Sequence, residues 1–173
     1  MQAALVANQE IRQETTKFNL MLAPGFPELI DEMNALNVDR KETAFIIADT
    51  PFRLQPNGVA SWATNGSNAP ENGEKGLLTT GPNIGVYYPS GFATNVDGNS
   101  VMVPPSHIAV RTYAYNDSVA FPWFAPAGFQ RGLVNNATSV GYLDNEGEFV
   151  AIALTEGQRD VLYSNKTVSY THL

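Results

Sequence analysis

Apolar runs alternate with segments of helical spacing along the first third of the chain. Residues 18–25, FNLMLAPG, form an apolar run that ends in a Pro-Gly pair, which predicts a buried strand followed by a turn. Apolar residues then recur at helical spacing from Pro27 to Leu36, and proline is favoured at the first position of a helix. Residues 43–49, TAFIIAD, predict a second strand that is covered on both faces. This strand, helix and strand form a βαβ unit, so we expect the two strands to be parallel.

The regular pattern breaks at residues 51–82, which are rich in Asn, Gly and Pro. Loops of this length without regular structure are uncommon in compact domains, so the segment is typical of a functional or mobile loop. We expect parts of it to dock against the rest of the protein through its apolar residues Val59, Trp62 and Leu77.

Strand patterns return in the second half of the chain. Residues 83–89, NIGVYYP, are strand-like, and the pair Asp97 and Gly98 predicts a turn or hairpin within residues 91–103. Residues 141–154 predict two short strands joined by a turn.

A helix is predicted to begin at Pro104 and Pro105, because the missing N–H groups of proline cost nothing in the first turn. Its end falls near Asn116 or Asp117. We expect one face of this helix to be formed by Ile108, Thr112 and Tyr115.

Helical signals also occur at both ends of the chain. Residues 1–16 predict a surface helix with a weak apolar stripe, or part of an arm. Thr155 and Gln158 form a capping box that predicts a helix over Glu156–Ser164. This last helix is expected to bury Val161 and Leu162.

Together these elements predict an α/β fold in which a mostly parallel central sheet is flanked by helices. The 173 residues suffice for one domain with a real core and are too few for two full-sized domains. We expect the domain to span residues 17–166, preceded by residues 1–16 and followed by a tail at residues 167–173.

The composition removes several classes of chemistry. The chain has no cysteine, which excludes disulfides, thiolate nucleophiles and cysteine-based zinc or iron–sulfur sites. Its formal charge is −7, and its 10 Lys and Arg residues are scattered along the sequence, so we expect no direct binding of nucleic acid. The sequence shows neither a signal peptide nor an apolar run of the roughly 18 residues that a membrane helix needs. We therefore expect a soluble, non-secreted chain without membrane insertion.

Ser106 and His107 are the first candidates for a catalytic pair, because they are neighbours in the sequence. Adjacent side chains on a helix diverge by about 100°, so the two do not face each other. The G-x-S-x-G motif is absent, and the second histidine, His172, lies in the terminal tail. We expect Ser106 to cap or pack at the helix start, and we assign no catalytic residue.

Asp49 ends a predicted central strand, a position where α/β enzymes often hold a catalytic or metal-binding acid. A second carboxylate is missing nearby, so we favour a strand-end cap or a salt bridge to Arg53. The turn at Gly25 contains two prolines, which lack the N–H groups that a phosphate site requires. An enzyme built on this sheet would need reactive side chains to converge near Gly25, Asp49 and Pro89.

Two other clusters are candidate binding sites. Residues 144–148, DNEGE, hold three acids but lack the calcium-loop pattern, which indicates a solvated hairpin tip. Four aromatic residues near prolines could line a sugar- or base-stacking site, although core or interface anchoring is favoured. They are Tyr87, Tyr88, Trp123 and Phe124. We assign no metal and no cofactor.

Several motifs occur in a fixed order: LAPGFPELIDEM, TAFIIADTP, YYPSG at 87–91, VPPSHIAVRTYAYND at 103–117, PWFAPAG at 122–128, and LTEGQRDVLYSNK. This ordered set closely resembles the contractile tail sheath proteins of bacteriophages, of the large T-even-like myovirus type. The resemblance covers most of residues 17–166. Type VI secretion systems and tailocins share the sheath plan, so the sequence leaves a cellular origin open.

The resemblance implies a structural protein of the virion. Sheath subunits surround a tail tube and contract to drive it through the bacterial envelope during DNA delivery. The implied fold is an α/β sandwich of subtilisin-like topology without protease activity. The implied partners are neighbouring sheath subunits and the tail tube protein, with synthesis in the host cytoplasm and no cofactor.

The chain departs from the sheath pattern at both ends. Relatives continue after the last helix with Asn-Pro-Ile, whereas this chain runs into TVSYTHL. We expect a truncated chain without linking arms, with residues 168–173 foreign to the gene, that does not assemble into sheaths by itself. The alternative to the sheath hypothesis is an α/β hydrolase or a nucleotide-using enzyme.

Overall fold

The computed structural model describes residues 1–64, 76–121 and 123–169. Within these ranges the helices are α1 Gln2–Ala7, α2 Ile30–Asp39, α3 Pro56–Ala63, α4 Pro105–Val119, α5 Gly128–Arg131 and α6 Glu156–Ser164. The strands are β1 Leu20–Leu22, β2 Phe45–Asp49, β3 Ile84–Tyr88, β4 Ser90–Thr94, β5 Ser100–Val103, β6 Ser139–Leu143, β7 Phe149–Ala151 and β8 Thr167–Ser169. They form a mixed α/β fold with a parallel sheet and an antiparallel sheet.

The parallel sheet has the strand order β1, β2, β3, β8. Leu20 of β1 pairs with Phe45 of β2, and α2 lies between these two strands in the chain. A 3₁₀ turn over Pro27–Leu29 precedes α2, so the helical segment begins at the proline. The predicted βαβ unit with parallel strands is therefore confirmed.

Helices cover both faces of the parallel sheet. On one face, buried residues of α2, α3 and α6 form the largest core cluster together with Ile46 and Tyr88. On the other face, Ala109 of α4 packs with Ile47 and Tyr87. Burial on both faces explains why β2 is apolar at successive positions.

The second sheet is antiparallel, with the strand order β5, β4, β6, β7. Both of its hairpins were predicted, and Gly98 and Gly147 occupy their turns with positive φ. The two hairpins are joined into one sheet by pairing of β4 with β6, which was not predicted. Pro89 alone separates β3 from β4, so the chain passes directly from one sheet to the other, and the Tyr88–Pro89 peptide bond is cis.

α4 begins at Pro105 as predicted and continues to Val119, beyond the predicted end. Its predicted apolar face is wrong at Tyr115, which is 51% exposed. The helix instead buries Ile108 and Ala109 together with the polar Ser106 and Asn116. Because α4 contacts both sheets, its buried surface includes polar and small residues that a search for apolar spacing does not detect.

Residues 51–82 contain a helix, α3, so the prediction of a segment without regular structure is wrong over Pro56–Ala63. Pro56 occupies the first turn of α3, and Val59 and Trp62 are buried. The Leu77 N–H donates to the Trp62 carbonyl at 2.8 Å. Docking of the apolar residues is confirmed, and the Asn- and Gly-rich residues 65–75 lie outside the described residues.

The last helix, α6, has the predicted bounds, and both hydrogen bonds of the Thr155 and Gln158 capping box are present. Leu162 is buried as predicted. Val161 is 49% exposed, so the prediction that it is buried is wrong. The segment that we expected to be a tail begins with β8, which pairs with β3 and buries Thr167 completely. Residues 170–173, including His172, lie outside the described residues.

The first 16 residues are helical only in part. α1 is followed by a 3₁₀ turn over Glu10–Arg12, rather than by a continuous helix. Among the described residues, no helix has both the length and the hydropathy required to cross a membrane.

Candidate functional site

The Asp49 carboxylate is the centre of a buried hydrogen-bond cluster at the carboxyl edge of the parallel sheet. The Gly25 N–H donates to Oδ2 at 2.8 Å, the Ser106 N–H donates to Oδ1 at 2.5 Å, and the Ser106 hydroxyl donates to Oδ2 at 2.8 Å. Asp49 is 2% exposed and Ser106 is fully buried. One carboxylate therefore joins the turn after β1, the end of β2 and the start of α4.

Local sequence explains why these groups meet. Gly25 has φ +80°, a backbone conformation that favours glycine, and its turn follows β1 directly. Pro104 and Pro105 lack N–H groups, so Ser106 provides the first free N–H of α4. A carboxylate is stabilised at a helix N-terminus by the helix dipole, so Asp49 caps α4 from a neighbouring strand.

Two opposing effects act on the pKa of Asp49. Burial raises this pKa above its usual value, because the ionised form is desolvated. The hydrogen bonds from Gly25 and Ser106 act in the opposite direction and favour the ionised carboxylate. Burial is the larger effect, so the pKa is raised.

The cluster unites Gly25, Asp49 and Ser106 from the sequence candidates. His107 is exposed and lines a different groove with Thr94, Arg111 and Thr138. The hydrogen bonds and ion pairs of the described residues connect neither His107 nor Arg53 to Asp49. The predicted strand-end cap is confirmed, and Ser106 caps the helix start by way of the carboxylate. The Ser106 hydroxyl donates to the Asp49 carboxylate and is not exposed to solvent.

Tyr87 and Tyr88 end β3 and are buried. The Tyr87 hydroxyl lies 2.7 Å from the Tyr113 hydroxyl of α4, and the two rings meet edge to face. Burial raises the pKa of both Tyr87 and Tyr88 well above the usual tyrosine value, which keeps both phenols protonated. These two residues are therefore core residues, as favoured from the sequence.

Trp123 and Phe124 lie instead on the surface. The Trp123 ring is 75% exposed and stacks parallel on Phe121 at 4.8 Å between centroids. The Arg131 guanidinium lies 4.7 Å above the Phe124 ring. We call Phe121, Trp123, Phe124 and Arg131 the aromatic surface. Exposed aromatic side chains in this number are typical of an interaction site.

A groove of about 700 Å³ lies at the amino edge of the parallel sheet, where its lining includes Asn19 and Thr43. Four of the ten Lys and Arg residues line it: Arg12, Lys17, Arg40 and Lys41. These cations are scattered in the sequence, but the fold gathers them, so the expectation of scattered positive charge is corrected here. The pairing of residues 12–17 with residues 40–43 depends on tertiary structure and gives no local sequence signal.

The acids of residues 144–148 occupy the turn between β6 and β7. The Glu148 N–H donates to Asp144 Oδ1 at 2.8 Å, while Glu146 and Glu148 are exposed. The hairpin tip is confirmed. Within the described ranges, no group of three or more His, Cys, Asp or Glu side chains is arranged to hold a metal ion.

Comparison of the chain with protein-family models and with curated proteins finds no match.

Proposed function

We propose that this protein is a structural subunit of the contractile tail sheath of a bacteriophage. In this role, copies of the chain surround the tail tube in the virion and contract to drive the tube through the bacterial envelope. The partners are neighbouring sheath subunits and the tail tube protein. The proposal assigns no catalytic residue, no cofactor and no membrane insertion, and it places synthesis in the host cytoplasm.

The Asp49 cluster is the observation that supports this proposal most strongly. Three of the motifs that carry the sheath resemblance supply its members: Ala-Pro-Gly supplies Gly25, Ile-x-Asp supplies Asp49, and Pro-Pro-Ser supplies Ser106. Each motif residue is used to hold one element against another. Because the polar groups of Gly25, Asp49 and Ser106 bind one another and hold the fold together, the motifs fit a structural protein.

The aromatic surface also supports the proposal. Two of its members, Trp123 and Phe124, belong to the PWFAPAG motif, and Trp123 remains 75% exposed although its ring is large and apolar. A subunit that is covered on several sides by other proteins requires such surfaces. We assign the aromatic surface to a contact with another protein of the tail.

The finer description of the fold is part of the same proposal. A parallel sheet with helices on both faces, joined at Pro89 to an antiparallel sheet, is compatible with the α/β sandwich of subtilisin-like topology that the resemblance implies. On a protease of that topology, a serine and a histidine must meet. Here Ser106 and His107 lie in different surroundings.

Immunogold electron microscopy tests the proposal. Antibodies raised against this chain are applied to contractile-tailed particles from the culture that carries the gene, with preimmune serum as the control. We expect gold along the tail between head and baseplate, and on the shortened, thickened segment alone after contraction. Gold on heads, on the bared tube of contracted tails, or nowhere on the particles would overturn the proposal.

A further inference from the structure

The basic groove, which we define by Arg12, Lys17, Arg40 and Lys41, carries more positive than negative charge. Its lining includes the two carboxylates of Glu14 and Asp39, and Asp39 forms an ion pair with Arg12. This local excess occurs on a protein whose formal net charge is −7. A surface of opposite sign to the rest of the molecule favours a negatively charged occupant.

The groove is rigid at its base and free at its rim. The Arg40 guanidinium donates to the carbonyls of Ile11, Gln13 and Thr16 and lies 4.0 Å above the Phe18 ring. These bonds fix the segment before β1 against the end of α2. Lys17 and Lys41 are exposed, and the ion pairs among described residues do not include them. Their charges are therefore available to a partner.

Among the described residues, the hairpin between β6 and β7 offers exposed negative charge, because Glu146 and Glu148 are exposed and Asp144 lies beside them half-buried. We call Asp144, Glu146 and Glu148 the acidic tip. The tip is narrow, because two hydrogen bonds close the turn: Gly147 N–H to the Asp144 carbonyl at 3.1 Å and Glu148 N–H to Asp144 Oδ1 at 2.8 Å. A hairpin turn is small enough to enter a groove of about 700 Å³.

The two surfaces lie at opposite edges of the parallel sheet. The groove includes Asn19 and Thr43, which precede β1 and β2. The acidic tip follows Leu143, whose N–H donates to the carbonyl of Phe52, beyond the carboxyl end of β2. β2 itself spans about 17 Å, so one molecule cannot insert its own tip into its own groove.

From this placement we infer that the basic groove of one copy of the chain binds the acidic tip of a second copy. Such a contact joins two different surfaces, so each copy that fills a groove still offers its own groove to the next copy. A head-to-tail contact of this kind generates a ring or a helix and not a closed dimer. The inference rests on the proposed function, which requires an open repeat of identical subunits, and it names one contact of that repeat.

Cross-linking between single-cysteine variants tests the contact, and the chain has no native cysteine that could interfere. Thr43→Cys places a thiol in the groove and Asn145→Cys places one on the tip, and both substitutions leave every charge in place. The two variants are mixed and oxidised. As the matched control, Thr43→Cys is mixed with Asn99→Cys, an exposed residue on the other hairpin. We expect about tenfold more mixed dimer from the groove and tip pair than from the control.

Charge reversal then tests the chemistry in the same cysteine backgrounds. Lys17→Glu with Lys41→Glu in the groove variant should reduce the mixed dimer to the control level, and so should Glu146→Lys with Glu148→Lys in the tip variant. Mixing the charge-reversed groove variant with the charge-reversed tip variant should restore the mixed dimer. The yield should also fall in 1 M salt, where the Debye length is about 3 Å.

Three results would overturn the inference: a mixed dimer no more abundant than the control, no restoration by the reversed pair, or Thr43→Cys dimers with themselves as the main product. A groove reversal that abolishes binding of a single-stranded DNA oligonucleotide but leaves cross-linking unchanged would identify nucleic acid as the occupant and would also overturn it. Cross-linking in solution is independent of the gold labelling of tails, so failure of the contact and failure of the proposed function are distinguishable.

Discussion

Ser106 donates two hydrogen bonds to Asp49, one from its backbone N–H and one from its hydroxyl, although 57 residues separate them in the chain. The backbone bond caps α4, and the hydroxyl bond occupies the oxygen that also accepts from Gly25. Removal of the carboxylate therefore leaves three donors without an acceptor: one in the turn after β1, at Gly25, and two at the start of α4, at Ser106.

Asp49→Ala should lower the free energy of unfolding by about 3 kcal/mol, because unpaired buried donors each carry a desolvation cost. Urea denaturation followed by circular dichroism measures the change. Asp97→Ala, at an exposed hairpin turn, is the matched control and should change stability by less than about 0.5 kcal/mol. Equal stability of the two variants would contradict a structural role for the cluster.

Ser106 should not react with a fluorophosphonate, a reagent that labels activated serine nucleophiles. Its hydroxyl is fully buried and donates to a carboxylate, and His107 lies in another groove. Mass spectrometry of the intact protein after incubation should show no adduct, with an active serine hydrolase as the positive control. An adduct that disappears in Ser106→Ala would support the enzyme alternative.

The stability contributed by Asp49 should decrease as the pH rises. Because burial raises the native-state pKa of Asp49 above the usual value of 3.8, the native protein retains a proton that the unfolded chain has released. This contribution is fully present below the unfolded-state pKa and is lost as the pH rises through the native-state pKa. The stability advantage of the wild type over Asp49→Asn should therefore be largest in acid and smaller near neutrality. Denaturation of both proteins at a series of pH values from acid to neutrality measures this difference in stability. An advantage of the wild type that grows with pH would refute the prediction.

The two tryptophans should behave oppositely when each is replaced by alanine. Trp62 is 2% exposed in the main core, so Trp62→Ala should cost about 3–5 kcal/mol of unfolding free energy. Trp123 is 75% exposed, so Trp123→Ala should cost less than about 1 kcal/mol. Iodide should quench the fluorescence of Trp62→Ala, which retains Trp123, more strongly than that of Trp123→Ala. The reverse order of quenching would mean that the aromatic surface is covered in solution.

Elements with local signals were predictable from the sequence. The capping box of Thr155 and Gln158 fixes the start of α6 through contacts only three residues apart. The apolar run of β2 is long enough to indicate burial on both faces. α3 was missed because Pro56 and Gly58 are typical of loops, although Pro56 fits the first turn of a helix and Val59 and Trp62 provide a buried face.

Features that depend on distant pairing were not predictable in the same way. β8 has only three residues, and its place in the sheet is given by β3, which lies about 80 positions earlier. For the site, the sequence favoured a strand-end cap or a salt bridge to Arg53 for Asp49, and a capping or packing role for Ser106. It did not indicate that Asp49 and Ser106 are partners. The basic groove was missed for the same reason, since its cations come from two segments that meet only in the folded chain.

The single residue between β3 and β4 gives the molecule a mechanical property. One residue spans at most about 3.6 Å, so Pro89 provides almost no slack between the two sheets. A pulling force applied to the antiparallel sheet by a neighbouring molecule would reach the parallel sheet through covalent backbone, without first extending a loop. The two sheets should therefore stay adjacent at Pro89 when the protein is under load.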